Sequence, residues 1–138
     1  MKADTTTEAT RKTVLNFYQA LSDQNLEAVA SHFADELYWS IPGEQSLAPW
    51  LGERKNRQEV KEFFQSLWKS IEPVGAKIDH ILAEGNTALV SGNFASRMLH
   101  TGKVFESVFF TQFTVENNVI VRYLLLEDTN GLVKALTY

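Results

Sequence analysis

Phe33-Ala-Asp-Glu-Leu-Tyr-Trp-Ser-Ile-Pro-Gly43, followed by Trp50-Leu-Gly52, decides how the rest of the chain is read. Leading into it, Leu26, Val29, Ala30 and Phe33 recur at three and four residues and predict a helix with one apolar face. Leu37 to Ile41 then turns aromatic and β-branched and predicts a short strand. Pro42 stops that strand, because it donates no ladder hydrogen bond. Gly43 to Gly52 reads as a loop carrying a large ring, Trp50, directly after Pro49. A helix that runs into a strand and then into an aromatic loop can ring a cavity mouth with apolar side chains.

Upstream, Val14, Phe17, Tyr18 and Leu21 form one stripe of a first helix, expected to start within Thr5 to Thr10, where threonine can cap it and Glu8 favours its positive end. Ser22-Asp-Gln-Asn25 breaks the pattern. Downstream, Arg54-Lys-Asn-Arg57 reads as a loop leading into a third helix, Glu59 to Ile71. Its apolar face is Val60, Phe63, Phe64, Leu67, Trp68 and Ile71, and Pro73 and Gly75 end it. From Ala76 the period becomes two. Ala76 to Ala83, Ala88 to Leu99, Val104 to Val115 and Val119 to Leu126 predict four strands, joined at Glu84-Gly-Asn86, His100-Thr-Gly102 and Asn117-Asn118. Asp128 to Gly131 ends the sheet, and Leu132 to Leu136 is a tail or a helical turn. Helices first and an antiparallel meander second is the α+β order, with three N-terminal helices packed on one curved, mainly antiparallel sheet.

The 138 residues fit one domain, 44% hydrophobic and 12% aromatic, without cysteine and therefore without disulfides. A net charge of −4 with scattered basic residues argues against nucleic acid and anionic membranes as partners. No apolar run has the length of a membrane span or the character of a secretion signal, so a cytoplasmic protein is expected. Along Val104 to Val115, Phe105, Ser107, Phe109, Thr111, Phe113 and Val115 share one face. Val104, Val108 and Phe110 stand on the other, too apolar for water alone, which predicts a homodimer through the outer sheet face.

The chain resembles a known superfamily. Phe17-Tyr-Gln-Ala-Leu21, Asn25-Leu26 and Phe33-Ala-Asp35 are similar to the opening of nuclear transport factor 2-like domains. Trp39-Ser-Ile-Pro-Gly43, Trp50-Leu-Gly52, Val60-Lys-Glu-Phe-Phe64, Phe113 to Ile120, Tyr123 and Asp128-Thr129 resemble its SnoaL-like branch. The resemblance implies a single SnoaL-like domain over 1–138, with a core of about 7–135 and a flexible 1–6. It also implies a conical sheet enclosing a pocket, commonly in a dimer. Ketosteroid isomerases of this fold use a carboxylate base, a tyrosine and a protonated aspartic acid. In the matching register those places fall on Ile41, Phe17 (with Tyr18 beside it) and Thr111, so that mechanism is not expected. SnoaL-type cyclases draw a carboxylate from the last strand, where Leu125 takes the place and Glu127 and Asp128 follow. The Asp-Arg-Asp relay of epoxide hydrolases is not visible, since only Arg97 lies on a central strand.

Glu127 is the sharpest acid/base candidate if it faces an apolar pocket, and otherwise a strand-end carboxylate paired with a rim cation. Asp128 is a second candidate, with capping of Asn130 or Gly131 as the competing role, and Tyr18 would supply a hydroxyl. Phe17, Trp39, Ile41, Trp50, Phe64, Trp68, Phe94, Ser96, Phe109, Thr111, Tyr123 and Leu125 are the expected pocket wall, although aromatic residues at such spacings also build ordinary core. His32, His80 and His100 are isolated, and no metal site or cofactor is expected. The sequence thus points to a protein that binds a small apolar organic ligand, as a cofactor-independent isomerase, cyclase or dehydratase, or else as a non-catalytic binding or assembly module.

Overall fold

The computed structural model describes residues 2–138 and has an α+β fold of four helices on a six-stranded sheet. Met1, part of the terminus expected to be flexible, lies outside the described residues. Helix α1 (Lys2–Ser22) starts ahead of the expected range and buries Val14, Phe17 and Ala20. Gln24, in a left-handed conformation at φ 49°, ends the turn that follows. Asn25 then caps α2 (Leu26–Ser31), its side chain accepting from the Ala28 amide at 3.1 Å.

Strand β1 (Phe33–Ile41) begins four residues earlier than its aromatic run suggests. Phe33, expected on the apolar face of the second helix, instead opens this strand. It is still fully buried, because α2 closes at His32 after six residues and the strand itself carries the ring inward. Gly52 and Arg54 to Asn56, read as loop, belong to a strand, β2 (Gly52–Asn56). Its charged residues hid it, since an edge strand needs no apolar alternation. Helix α3 (Arg57–Ser70) starts on a reciprocal cap. The Asn56 side chain accepts from the Glu59 amide at 2.8 Å, and the Glu59 carboxylate accepts from the Lys55 amide at 2.7 Å.

The remaining strands are β3 (Ile71–Glu84), β4 (Thr87–Met98), β5 (Val104–Glu116) and β6 (Val119–Glu127), followed by α4 (Thr129–Ala135). Pro73 and Gly75 do not precede β3 but lie inside it. They are tolerated because β3 is an edge strand whose register shifts between Pro73 and Gly75 and again between Ile78 and His80. Gly92 faces this bulged strand, and a Cβ there would collide with the Lys77 carbonyl and the Phe109 ring. The β5–β6 hairpin turns on Asn117 and Asn118, both at positive φ (52° and 65°), the pairing a two-residue turn requires.

The strand order is β2-β1-β6-β5-β4-β3. All neighbours are antiparallel except β1 and β6, which run parallel, so the sheet is mixed. The core is an aromatic cluster between α1, α3 and the inner sheet face, with Phe17, Phe33, Trp39 and Phe113 fully enclosed. Two threonines of α1 tie it to the β3–β4 turn: Thr10 donates to the Gly85 carbonyl at 2.7 Å, and the Gly85 amide donates to Thr7 at 2.9 Å. On the outer face Val108, Phe110, Leu89 and Leu126 are exposed. Among the described residues no helix is long and apolar enough to cross a membrane.

Candidate functional site

Inner-facing positions of β5 and β6 alternate with the outer ones, which brings Phe109, Thr111, Tyr123, Leu125 and Glu127 to one surface. With α1, α3 and the Trp50 loop they bound a cavity of about 890 Å³. Tyr18, Ile41, Trp50, Phe64, Trp68, Phe94 and Ser96 also line it. The mouth lies between Leu21 to Gln24, where α1 ends, and Pro73 to Ile78 of β3. Three expected residues stand elsewhere. Phe17 and Trp39 form the fully buried layer behind the wall, because the stripe of α1 and the parity of β1 direct them into the core. Asp128 is not in the wall. Its carboxylate accepts from the Gly131 amide at 3.0 Å to cap α4, and its own amide donates to the Ser107 hydroxyl at 2.9 Å.

The wall also includes residues the sequence reading missed as lining, among them Phe63, Leu67, Met98, Phe105 and Leu132. Phe63 and Leu67 were legible as the face of α3. Leu132 enters only because α4 folds over the end of the sheet, which its seven residues do not announce.

Glu127 is the last residue of β6, directly opposite Phe109. No ion pair or hydrogen bond of its side chain is present among the described residues, and burial pushes its carboxyl up from 4.5 to about 7. It therefore titrates near neutrality, where a group can both give and take a proton. The Tyr18 hydroxyl is pushed up strongly by burial, an effect the nearby Thr111 hydroxyl slightly opposes, and it stays a neutral donor. Thr111 Oγ1 makes no aligned hydrogen bond of its own and is left as an unsatisfied buried polar atom in the wall. Tyr123 is also pushed well up, first by burial and then by Tyr18 and Glu127. Thr111 pairs with Leu125, and Glu127 follows two residues along β6 on the same face, about 7 Å from Leu125 at two strand residues' rise.

Arg54 holds the Trp50 loop in place. It donates to the carbonyls of Leu51 and Trp50, each at 3.1 Å, and lies over the Phe63 ring at 5.5 Å. Arg97 points away from the cavity, donating to the Gly102 carbonyl at 3.0 Å and pairing with Glu72 at 3.4 Å. Among the described residues no three metal-ligating side chains cluster.

Solved structures share this architecture. An NTF2-like protein from Burkholderia xenovorans LB400 superposes with a TM-score of 0.85 at 22% identity, covering 95% of this chain and 98% of that one. An LEH-like epoxide hydrolase from M. tuberculosis gives 0.75 at 17% identity, covering 94% and 90%. TerC, co-crystallised with polyporic acid, gives 0.80 at 15% identity, covering 93% and 98%. At these identities the likeness shows the fold alone. No functionally curated protein matches the chain. The profile of the SnoaL-like domain matches residues 14–123, from the first helix to the cavity tyrosine of β6, and the chain belongs to that family.

Proposed function

We propose that this chain binds a small, largely apolar organic molecule in the cavity and acts on it without a cofactor, by proton transfer of the isomerisation, cyclisation or dehydration kind. The observation that carries this reading is an unpaired carboxyl group, Glu127, in the wall of a mostly apolar cavity. Glu127 takes or delivers the proton, and Tyr18 donates a hydrogen bond to the oxygen on which negative charge develops. The Asp128 carboxylate is occupied in its cap and takes no part. TerC's polyporic acid supports an organic ligand in a fold of this kind. Hydrolysis of an epoxide by an Asp-Arg-Asp relay is disfavoured, because the described residues of the lining include no arginine.

A second copy of this chain covers the apolar outer sheet face, and the protein works in the cytoplasm. A thermal-shift screen against steroid-like, polyketide-like and terpenoid compounds finds the ligand class. Once turnover is measured, Glu127→Gln lowers it about 100-fold or more. Unchanged turnover in that variant would leave the cavity a binding site without chemistry.

A further inference from the structure

Around Glu127 the wall combines two features that favour positive charge. The first is the carboxyl group itself, which has no cation beside it: the ion pairs among the described residues are Asp35 with Arg57, Glu27 with Lys61, Asp79 with Lys77 and Glu72 with Arg97. The second is aromatic. Phe109 is the direct cross-strand neighbour of Glu127, and Phe94 packs between Phe105 and Phe109 with ring centroids 5.5 and 6.1 Å away. Ring faces attract cations through their quadrupole, most strongly where water is excluded. Among the described residues the lining has one basic side chain, Lys77, but it sits at the mouth. Its side chain is 75% exposed and turned to Asp79 at 3.5 Å, so it does not neutralise the interior.

We propose that the ligand is a hydrophobic organic amine, seated with its nitrogen against Glu127 and its apolar body along the aromatic wall. The inference rests on the ligand-binding reading above and narrows it. A neutral amine enters the apolar cavity without an ionic desolvation penalty and then takes the Glu127 proton. The carboxyl O–H bond breaks, an N–H bond forms, and a carboxylate–ammonium pair remains, with no other reactant consumed. The Phe109 ring, across the strand pair from Glu127, then favours the ammonium while the carboxylate gains the partner it lacks. An anionic ligand finds no buried cation.

Isothermal titration of the full chain with 1-naphthylmethylamine, 1-naphthylmethanol and 1-naphthoic acid tests this, since the three share a ring system and differ in charge. The amine is expected to bind at least about tenfold tighter than the alcohol, and the acid weakest of all. In Glu127→Gln the amine's advantage falls to within about threefold while alcohol binding is retained, which shows that the cavity is intact. Equal binding of amine and alcohol to the unmodified chain, or an advantage that survives in Glu127→Gln, overturns the amine proposal and leaves the ligand-binding reading standing. Failure of all three compounds to bind overturns both.

Discussion

Trp39 and Tyr123 stack almost parallel, ring centroids 4.0 Å apart and planes inclined by 15°, from directly paired positions on the parallel strands β1 and β6. Trp39 also meets Phe63 edge-on at 4.8 Å, so one ring joins the parallel seam of the sheet to α3. Tyr123 in turn packs on Phe17, Phe33 and Phe113 and also lines the cavity. Removing the indole therefore takes away the support behind the site as well as core volume. Trp39→Ala is expected to cost about 3–5 kcal/mol of unfolding free energy, measured by urea titration. A cost below about 1 kcal/mol would mean that the stack is incidental.

The stability of the protein falls as pH rises through the range in which Glu127 titrates. The unfolded carboxyl loses its proton near 4.5, whereas burial holds the folded one protonated up to about 7. Between those values the unfolded chain binds fewer protons, so folding is penalised increasingly with pH, and the penalty is complete above about 7. At 1.36 kcal/mol per unit its size is of the order of 3 kcal/mol at most. Glu127→Gln should match the unmodified protein near pH 4 and exceed it by about 1–3 kcal/mol near pH 8. Tyr18 and Tyr123 stay neutral throughout, and Asp23 and Lys77 at the mouth are common to both proteins, so the difference between them isolates Glu127. Parallel urea titrations across that range with no divergence would contradict it.

Arg54 fixes the loop that carries Trp50 through carbonyl hydrogen bonds rather than through an ion pair. Arg54→Ala leaves those carbonyls to water and is expected to cost about 1–3 kcal/mol. It should also raise amide hydrogen exchange selectively over 48–52, whereas a general loss of stability would raise exchange everywhere. Exchange in that segment unchanged relative to the core would show that the loop holds itself.

The outer face predicts an assembly state. Val108 and Phe110 are 60% and 58% exposed on neighbouring positions of a central strand, flanked by Leu89 and Leu126. Sedimentation at micromolar concentration is expected to give a dimer, and Val108→Glu a folded monomer. A monomeric profile of the unmodified chain would sink the two-fold contact.

The sequence made the meander legible because its strands alternate cleanly and their turns contain Gly85 and the Asn117-Asn118 pair. It made α3 legible because Val60, Phe63 and Phe64 repeat on one face. One edge strand and the start of the other were not legible, and for one reason. Strand β2 is polar, and the first residues of β3, which include Pro73 and Gly75, do not show the pattern of a strand paired on both edges, whereas β3 from Ala76 to Ala83 did read as a strand. In the site, parity along β5 and β6 puts Thr111, Tyr123, Leu125 and Glu127 on one face, and all four line the cavity. It could not separate lining from backing. Phe17 and Trp39 differ from Tyr18 and Trp50 only in depth, and depth depends on which helix lies over them.

The threonine contacts of α1 with Gly85 impose an order on folding. The first helix is made early but is anchored by a turn some 75 residues later, and β1 finds its parallel partner only when β6 exists. Both attachments have long loops to close before they repay anything, whereas the β3 to β6 meander can assemble from neighbours alone. On the ribosome Phe17, Phe33 and Trp39 therefore lack the Phe113 and Tyr123 rings that pack on them until β5 and β6 have been synthesised. That interval is when a chaperone would bind this chain.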